Sequence, residues 1–246
     1  MRAFSVLRLR ACRMSDPLRI LLLGASGLVG RGVLEQAVGR SAVRLIGLSR
    51  REVALPPGSR MEVHLAPVEG WAQEVAAIAP DRVICALGTT IRKQGGNQAA
   101  FAAVDKDLVL QVARLAKQAG ASGFAVVSSI GADPVAKNFY LRTKGEMEAA
   151  LGKIGFARLD VLQPGLLRGA RHGDVRPLER IGALLAPLAD LALMGDKRRY
   201  RSIHASLVAA AALQAVCEKA PGRFVHQHDH LLRLAGKWRR AGGENG

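Results

Sequence analysis

A tyrosine and a lysine at helical spacing are the residues of this chain best suited to acid–base chemistry. Tyr140 is followed four positions later by Lys144, in a stretch whose apolar residues recur with a helical period. Residues i and i+4 share one face of a helix, and a neighbouring cation favours a phenolate, so the pair suits proton transfer near neutral pH. Ser129, preceded by Ser128, lies eleven residues before Tyr140 at the end of the apolar run 124–127. The sequence predicts chemistry at a carbonyl or alcohol carbon, with either serine hydroxyl holding the substrate oxygen.

A glycine-rich turn near the start of the chain indicates where a nucleotide would bind. The apolar run 20–23 enters this turn, and a helical pattern begins directly after it. The spacing is GxxGxxG, in which Gly24 would allow a sharp turn, Gly27 a close approach to a pyrophosphate, and Gly30 tight packing of helix on sheet. The helix N-terminus would then face the phosphates. The predicted cofactor contacts here are Gly24, Ser26, Gly27, Leu28, Val29 and Gly30.

The end of the second predicted strand indicates which nucleotide is preferred. An acidic residue at this point would bind the ribose 2′-hydroxyl of NAD. The chain instead has Ser49 followed by Arg50 and Arg51. Guanidinium groups match phosphate geometry, so these residues favour NADP(H). NAD(H) stays an alternative, because the two arginines could also form a solvated turn.

Two further strand ends complete the predicted cofactor site. The run 81–88 is expected to be the fourth strand. The sixth strand is expected at 156–162, and the dipeptide Pro164-Gly165 breaks it at its carboxyl end. In doubly wound sheets the ligand lies outside the carboxyl ends of the strands. The residues predicted to contact the cofactor at these ends are Leu87, Gly88, Thr89, Thr90, Ser128, Pro164 and Gly165, together with Tyr140 and Lys144.

The alternation of apolar runs with helical patterns predicts an α/β fold with a doubly wound parallel sheet of the Rossmann type. We expect residues 17–236 to form this domain, including a small C-terminal lobe on the substrate side at about 166–202. Residues 1–16 are predicted to be an N-terminal tail outside the fold, and 237–246 a disordered tail. The arginine-rich start is typical of a mitochondrial transit peptide, or translation begins at Met14.

Composition limits the classes of partner. The net charge is +16, but the basic residues are scattered and not interleaved with aromatic residues, which argues against a dedicated nucleic-acid function. The chain lacks a run of about 18 apolar residues, so no membrane span is expected. Its three cysteines are widely spaced, which predicts a reducing, cytoplasmic setting without disulfides and no metal site. His226, His228 and His230 would alternate along a last strand, without a carboxylate framework for a metal.

Several stretches resemble the short-chain dehydrogenase/reductases of the atypical and extended type. The resemblance covers about residues 18–236 and is most specific to the Tat-interacting-protein oxidoreductase branch and its bacterial relatives. It implies that Tyr140 is the catalytic acid/base, that Lys144 binds the nicotinamide ribose and assists it, and that Ser129 orients the carbonyl. Related enzymes often have Arg-Pro-Gly where this chain has Gln163-Pro164-Gly165. The motifs that carry the resemblance are 85–90, Val104-Asp105, 128–133 and 140–146.

The predicted function is an NADP(H)-dependent oxidoreductase acting on a small molecule, and an anionic substrate is one alternative because arginines are frequent in the lobe. A sugar-nucleotide-type epimerase or dehydratase with bound cofactor would need the same residues. A redox-sensing scaffold that binds NADPH to control a protein partner is an alternative of another class. Monomer and homodimer both stay open, since helices at 98–118 and 140–152 could pair or be solvated.

Overall fold

The computed structural model describes residues 16–91, 94–169 and 195–243. Within these residues the chain has the predicted Rossmann-like α/β fold, a seven-stranded parallel sheet flanked by helices. A second, two-stranded parallel sheet lies beside it. The strands are β1 Leu18–Leu23, β2 Val43–Ser49, β3 Glu62–Leu65, β4 Arg82–Cys85, β5 Gly123–Val127, β6 Arg158–Leu162, β7 Leu167–Arg168, β8 Ile203–His204 and β9 Gly222–His226.

Most of the helices lie between consecutive strands of the main sheet. A π-helical turn, Ala103–Leu108, joins two of them into one continuous helical run. Short 3₁₀ turns lie at Val68–Gly70 and Gly195–Tyr200. The α-helices are α1 Leu28–Ala37, α2 Trp71–Ile78, α3 Gln98–Ala102, α4 Val109–Gln118, α5 Phe139–Leu151, α6 Ala205–Cys217 and α7 His228–Gly243.

The strand order in the main sheet is β3-β2-β1-β4-β5-β6-β9. The chain progresses outward from β1 in one direction and then reverses, so the switch point lies between β1 and β4. Leu23 at the end of β1 pairs with both Leu48 and Cys85, which brings the ends of three strands level. Because all the pairings are parallel, the carboxyl ends share one edge of the sheet, where a ligand binds in this architecture.

The sheet is covered on both faces, as its apolar central strands require. Ile20 and Leu22 of β1 pack in one cluster with α1, α6 and α7. Leu21 and Leu23 point to the other face and pack with α2, α4 and α5. Alternate side chains of one strand thus contribute to two cores, because successive residues of a strand face opposite sides.

The predicted disordered tail is wrong over the part of it that the structure describes. Residues 237–243 are the last turns of α7. Trp238 is buried there, its indole N–H donates to the Gln36 carbonyl at 3.2 Å, and the Arg40 guanidinium lies 4.6 Å from its ring centre. Residues 237–243 are mostly polar or glycine, so their sequence does not indicate that Trp238 anchors this end of α7 in the core.

The end of β4 also differs from the prediction. β4 ends at Cys85, and the chain after it leaves the sheet as a loop above the carboxyl edge. Most of the lobe expected at about 166–202 and the first fifteen residues of the predicted N-terminal tail lie outside the described residues. None of the helices in the described ranges combines the length and apolar character that a membrane span needs.

A glycine inside α5 allows the site-bearing helix to lie directly on the chain that follows β5. A Cβ on Gly145 would collide with the backbone of Asp133 and Pro134. Alanine favours helices by about 1 kcal/mol over glycine, yet we expect Gly145→Ala to destabilise the protein by about 1–3 kcal/mol, since the backbone contact must open. Urea unfolding measures the difference.

The matched control is Gly236→Ala in α7, where a Cβ would meet only the end of the Arg240 side chain at 3.5 Å. That variant should be neutral or slightly more stable. Equal stability of Gly145→Ala and the parent protein would contradict the close approach.

Candidate active site

Close backbone contacts build a cradle between β1, β4 and α1. Gly24 has φ +79°, and a Cβ there would collide with the Ala86 carbonyl. A Cβ on Gly30 would collide with the Gly24 carbonyl, so the first turn of α1 sits directly on the strand end. Gly27 precedes α1 without a side-chain cap, and the first turn carries no acidic residue. These features fit a pyrophosphate, which helix N–H groups and the helix dipole would bind.

The side chains of the turn divide into two groups. Ser26 is exposed and Leu28 is half-buried, so both have atoms at the surface of the cradle. Val29 is 5% exposed and belongs to the core with α6 and α7. Val29 therefore offers a ligand only its backbone, although the sequence predicted it as a contact.

A cavity of about 390 Å³ lies between this cradle, the end of β2 and the loop after β4. The Ser49 hydroxyl donates to the Arg51 carbonyl at 2.7 Å, and this turn leaves both neighbouring arginines exposed. Thr90 is exposed and does not line the cavity. Four of the lining residues were not predicted as contacts from the sequence: Leu48, Trp71, Gln94 and Val104. The lining residues are Gly24, Ser26, Leu48, Ser49, Arg50, Arg51, Trp71, Leu87, Gly88, Thr89, Gln94 and Val104.

Lys144 is held by a buried carboxylate. Its Nζ lies 2.8 Å from Oδ1 of Asp105, and the two side chains are 5% and 1% exposed. The other carboxylate oxygen, Oδ2, accepts the Thr89 backbone N–H at 2.8 Å. One acidic residue therefore joins the helix α5 to the loop after β4.

Tyr140 lies one turn before Lys144 on α5, as the spacing predicts. Its ring is half-buried and its centre lies 5.6 Å from that of Phe101. Asn138 caps α5 by accepting the Leu141 N–H at 3.1 Å, which fixes where the helix begins and hence where Tyr140 stands.

The two serines after β5 have different surroundings. Ser128 is buried, and its hydroxyl donates to Oε1 of Glu148. Ser129 is half-buried, and its hydroxyl makes a 3.3 Å bond to the Ile130 carbonyl. Ser128 is thus committed to the protein interior, whereas Ser129 is the serine with solvent-accessible surface.

A polar chain continues behind Ser128. The Gln163 amide donates to both oxygens of Glu148 at 3.0 Å, and Gln227 donates to Gln163 at 3.1 Å. Burial raises the pKa of Glu148, an effect that the bonds from Ser128 and Gln163 oppose. The neutral amide stands where the related enzymes' arginine would, so Glu148 is bonded here by an amide and a hydroxyl.

The strand-breaking dipeptide is packed into the fold. Pro164 is buried, and its carbonyl accepts the Ile130 N–H at 3.0 Å. A Cβ on Gly165 would collide with the backbone of Tyr200 and Arg201. The dipeptide therefore joins the ends of β5 and β6 to the chain before β8, and this packing does not depend on a ligand.

The alternating histidines do not share a strand. His226 ends β9, whereas His228 and His230 lie in the first turn of α7. Nε2 of His226 lies 2.8 Å from Asp160, which Arg158 also contacts through two nitrogens at 2.7 and 2.8 Å. Asp160 is a carboxylate beside His226 that the sequence did not reveal, and the hydrogen bonds among Asp160, Arg158 and His226 satisfy one another. In the described ranges no group of three or more potential ligands is arranged for a metal.

Asp105 and Glu148 are the charged site residues to which the sequence alone gave no role. Asp105 lies on the apolar face of its helix, four residues after the buried Phe101. Glu148 lies four residues after Lys144 on the same face as Tyr140. Acidic residues on a face that should be buried were the available signal, because such charges need partners.

Comparison with known proteins agrees with this geometry. Residues 24–174 match the NAD(P)H-binding family NAD_binding_10. The protein fmp52 of Aspergillus niger is 31% identical over 89% of this chain and 95% of its own length. The protein HTATIP2 of Rattus norvegicus is 36% identical over 71% of this chain and 73% of its own.

Solved structures share the fold at lower identity. UDP-glucose 4-epimerase of Thermotoga maritima superposes with a TM-score of 0.62 at 16% identity, covering 93% of this chain and 84% of the epimerase. The Bordetella bronchiseptica enzyme WbmG, solved in complex with NAD, gives 0.61 at 16% identity over 94% and 80% of the two chains.

The relatives contradict the expectation of a cytoplasmic setting. The fmp52 proteins of Emericella nidulans, Aspergillus niger and Aspergillus fumigatus are mitochondrial by name. Unpaired cysteines argue only against an oxidising compartment, and a reducing setting is not unique to the cytoplasm. The family model matches more than half of this chain, and the fmp52 and HTATIP2 relatives are each more than 30% identical to it. This chain therefore belongs to the NAD(P)H-binding Rossmann family that includes fmp52 and HTATIP2.

Proposed function

We propose that this protein is an NADP(H)-dependent oxidoreductase that interconverts a carbonyl and an alcohol on a small molecule. The observation that carries the proposal is the buried ion pair between Lys144 and Asp105. Lys144 lies one turn after Tyr140 on α5. Lysine is rarely buried unless it is paired, and this pair is joined through Asp105 to Thr89, which lines the nucleotide cavity at the carboxyl edge of the sheet.

The residues of the chain supply binding and proton transfer. The cofactor, when bound, supplies or accepts the hydride at the substrate carbon. In reduction the Tyr140 hydroxyl donates its proton to the carbonyl oxygen, and in oxidation the phenolate takes it back. Lys144 would donate hydrogen bonds to the nicotinamide ribose and to the phenol oxygen, and the Ser129 hydroxyl donates to the substrate oxygen. Ser129 is assigned this role because the Ser128 hydroxyl is bonded to Glu148.

The preference for NADP(H) is supported by the charges around the cavity. Arg50 and Arg51 line it, and its described lining residues include no carboxylate. Glu69 lies in the adjoining groove with Arg50, beyond the end of β3. A 2′-phosphate would therefore meet two exposed guanidinium groups in the cavity itself.

A second candidate is an epimerase or dehydratase that keeps its cofactor bound. The structures with the same fold include an epimerase with UDP-glucose and the protein MoeE5 in complex with UDP-glucose and NAD. Such an enzyme would purify with nucleotide bound and convert substrate without net change in cofactor absorbance. An oxidoreductase would consume NADPH stoichiometrically with an aldehyde or ketone.

Replacing the phenol tests the proton-transfer role. Tyr140→Phe should lower kcat by about 10²–10⁴-fold while leaving the Kd for NADPH nearly unchanged, since the ring packing on Phe101 is preserved. An aldehyde and ketone screen followed by NADPH oxidation kinetics measures it. Tyr200→Phe, at the exposed second tyrosine, is the control and should behave as the parent protein.

Unchanged turnover in Tyr140→Phe would contradict the proposal. The sensing alternative would be favoured by a different pair of results. The parent protein would bind NADPH tightly without turning over any substrate, and the Tyr140→Phe variant would still bind a protein partner in a nucleotide-dependent way.

Replacing the two arginines tests the nucleotide preference. The double variant Arg50→Ala/Arg51→Ala should raise the Kd for NADPH by about 10- to 100-fold and leave the Kd for NADH unchanged, because charged hydrogen bonds are each worth about 1.5–3 kcal/mol. Fluorescence titration gives both constants. Arg233→Ala/Arg239→Ala on α7, outside the cavity lining, is the charge-matched control. Equal loss for both nucleotides would contradict the assignment.

The raised pKa of Glu148 predicts a pH-dependent stability. The folded protein binds this proton more tightly than the unfolded chain, whose carboxyl has its ordinary value of 4.5. Stability from this group is therefore present at and below about pH 4.5 and is lost as the pH rises through the folded-state pKa. Glu148→Gln should lack this loss, as urea unfolding at a series of pH values would show.

The control is Glu146→Gln, two residues earlier on α5, whose carboxylate pairs at the surface with Lys106 at 2.9 Å. Parallel pH curves for Glu148→Gln and the parent protein would show that Glu148 is ionised alike in the folded and unfolded states.

A further inference from the structure

The carboxylate of Asp105 is shared between two parts of the site. Oδ1 contacts Lys144 on α5, and Oδ2 accepts the N–H of Thr89, which lines the nucleotide cavity. A Cβ on Gly88, the preceding residue, would lie 3.4 Å from Oδ1. The negative charge is therefore within contact distance of both the catalytic helix and the cofactor loop.

The local backbone is built to bring this charge inside. Asp105 lies in the π-helical turn 103–108, and such turns are rare and frequently found at functional sites. Val104, the residue before it, lines the cavity. Lys106, the residue after it, pairs with Glu146 of α5 at 2.9 Å. Asp105 and Lys106, which are adjacent and opposite in charge, thus each form an ion pair with a residue of α5. The two ion pairs together fix the rotation of the π-helical turn.

The other titratable groups near Lys144 do not replace Asp105. Glu148 is bonded to Ser128 and Gln163, and burial raises its pKa, which favours its neutral form. Burial raises the pKa of the Cys85 thiol to about 12, so that side chain is neutral. Among the described residues, Asp105 is the carboxylate in ion-pair contact with Lys144.

We propose that Asp105 is a positioning residue that balances the charge of Lys144 beside the nicotinamide and so sets the relative affinity for oxidised and reduced cofactor. This rests on the proposed function, in which Lys144 meets the nicotinamide half of the nucleotide. An ammonium has three N–H donors, so pairing with Asp105 leaves two for a ribose hydroxyl and the phenol. The oxidised nicotinamide carries a positive charge that the reduced ring lacks. A net-neutral pair accepts both rings, whereas an unbalanced ammonium repels the oxidised one.

The first test is Asp105→Asn, whose amide oxygen can still accept the Thr89 N–H. We expect the Kd for NADP⁺ to rise about tenfold more than the Kd for NADPH, because one uncompensated charge in a buried site acts strongly on another. Titration of each nucleotide against the purified full-length protein gives the ratio. Asp107→Asn, at the exposed acidic residue of the same turn, removes the same formal charge and should leave the ratio unchanged.

A second pair of variants keeps the test decisive if Asp105→Asn does not fold. Lys144→Met should shift the ratio in the opposite direction, toward NADP⁺, because a carboxylate then remains alone. Asp105→Asn/Lys144→Met is neutral again and should return the ratio to that of the parent protein, although turnover is lost. A purely structural role for Asp105 predicts equal weakening of both nucleotides and no such return, and that result would overturn the proposal.

The two proposals fail separately. If no aldehyde or ketone is reduced but the nucleotide ratio moves as expected, the oxidoreductase assignment is wrong and the role of Asp105 stands. If turnover is found and the ratio is the same in all four proteins, the role of Asp105 is wrong and the oxidoreductase assignment stands.

Discussion

The site depends on one buried charge, the carboxylate of Asp105. Burying an ion is costly unless it is paired and hydrogen-bonded, and removing one partner of such a pair is more costly still. Asp105 can lie at 1% exposure because Lys144 neutralises it and Thr89 donates to it. The same requirement fixes where α5 and the loop after β4 stand relative to each other. Since Tyr140 is one turn from Lys144, its position follows from this pair as well.

Behind Ser128 and Ser129, the interior is polar rather than apolar. Glu148 receives bonds from Ser128 and Gln163, while Asp160 binds Arg158 and His226. The two networks meet at β6 and β9, where the backbone N–H of Gln163 donates to the His226 carbonyl at 2.8 Å. Buried networks of this kind specify one arrangement of their members when all are satisfied. The ends of β5, β6 and β9 are thereby held level, and Ser129 is held at the surface above them.

The exchange of arginine for Gln163 has a direct electrostatic consequence. An arginine would give Glu148 a cation in hydrogen-bond contact, which would favour the carboxylate. The amide supplies two hydrogen bonds without charge, so desolvation is the largest influence on this group. The sequence shows a glutamine at this position, but only the fold reveals that its amide contacts Glu148.

Much of the fold could be predicted because its signals are local. The apolar runs of β1, β2, β5 and β6 and the glycine turn at Gly24 follow from composition and spacing alone, and so does the doubly wound order. The prediction for the C-terminal tail was wrong because Trp238, buried against α1, anchors a helix end whose other residues are mostly polar and exposed. The prediction that the three histidines alternate along one strand was wrong because the strand ends at His226. An alternating pattern does not reveal where a strand ends.

The sequence by itself determined the class of fold, the nucleotide cradle and the spacing of Tyr140 and Lys144 on one helix, because these depend on periodicity and on residues close in the chain. Only the tertiary structure decided that Lys144 meets Asp105, that Ser128 faces inward to Glu148, and that Val29 is core rather than contact. These outcomes pair residues from different elements. Their energies depend on burial, and burial is a property of the packed chain rather than of any stretch of it.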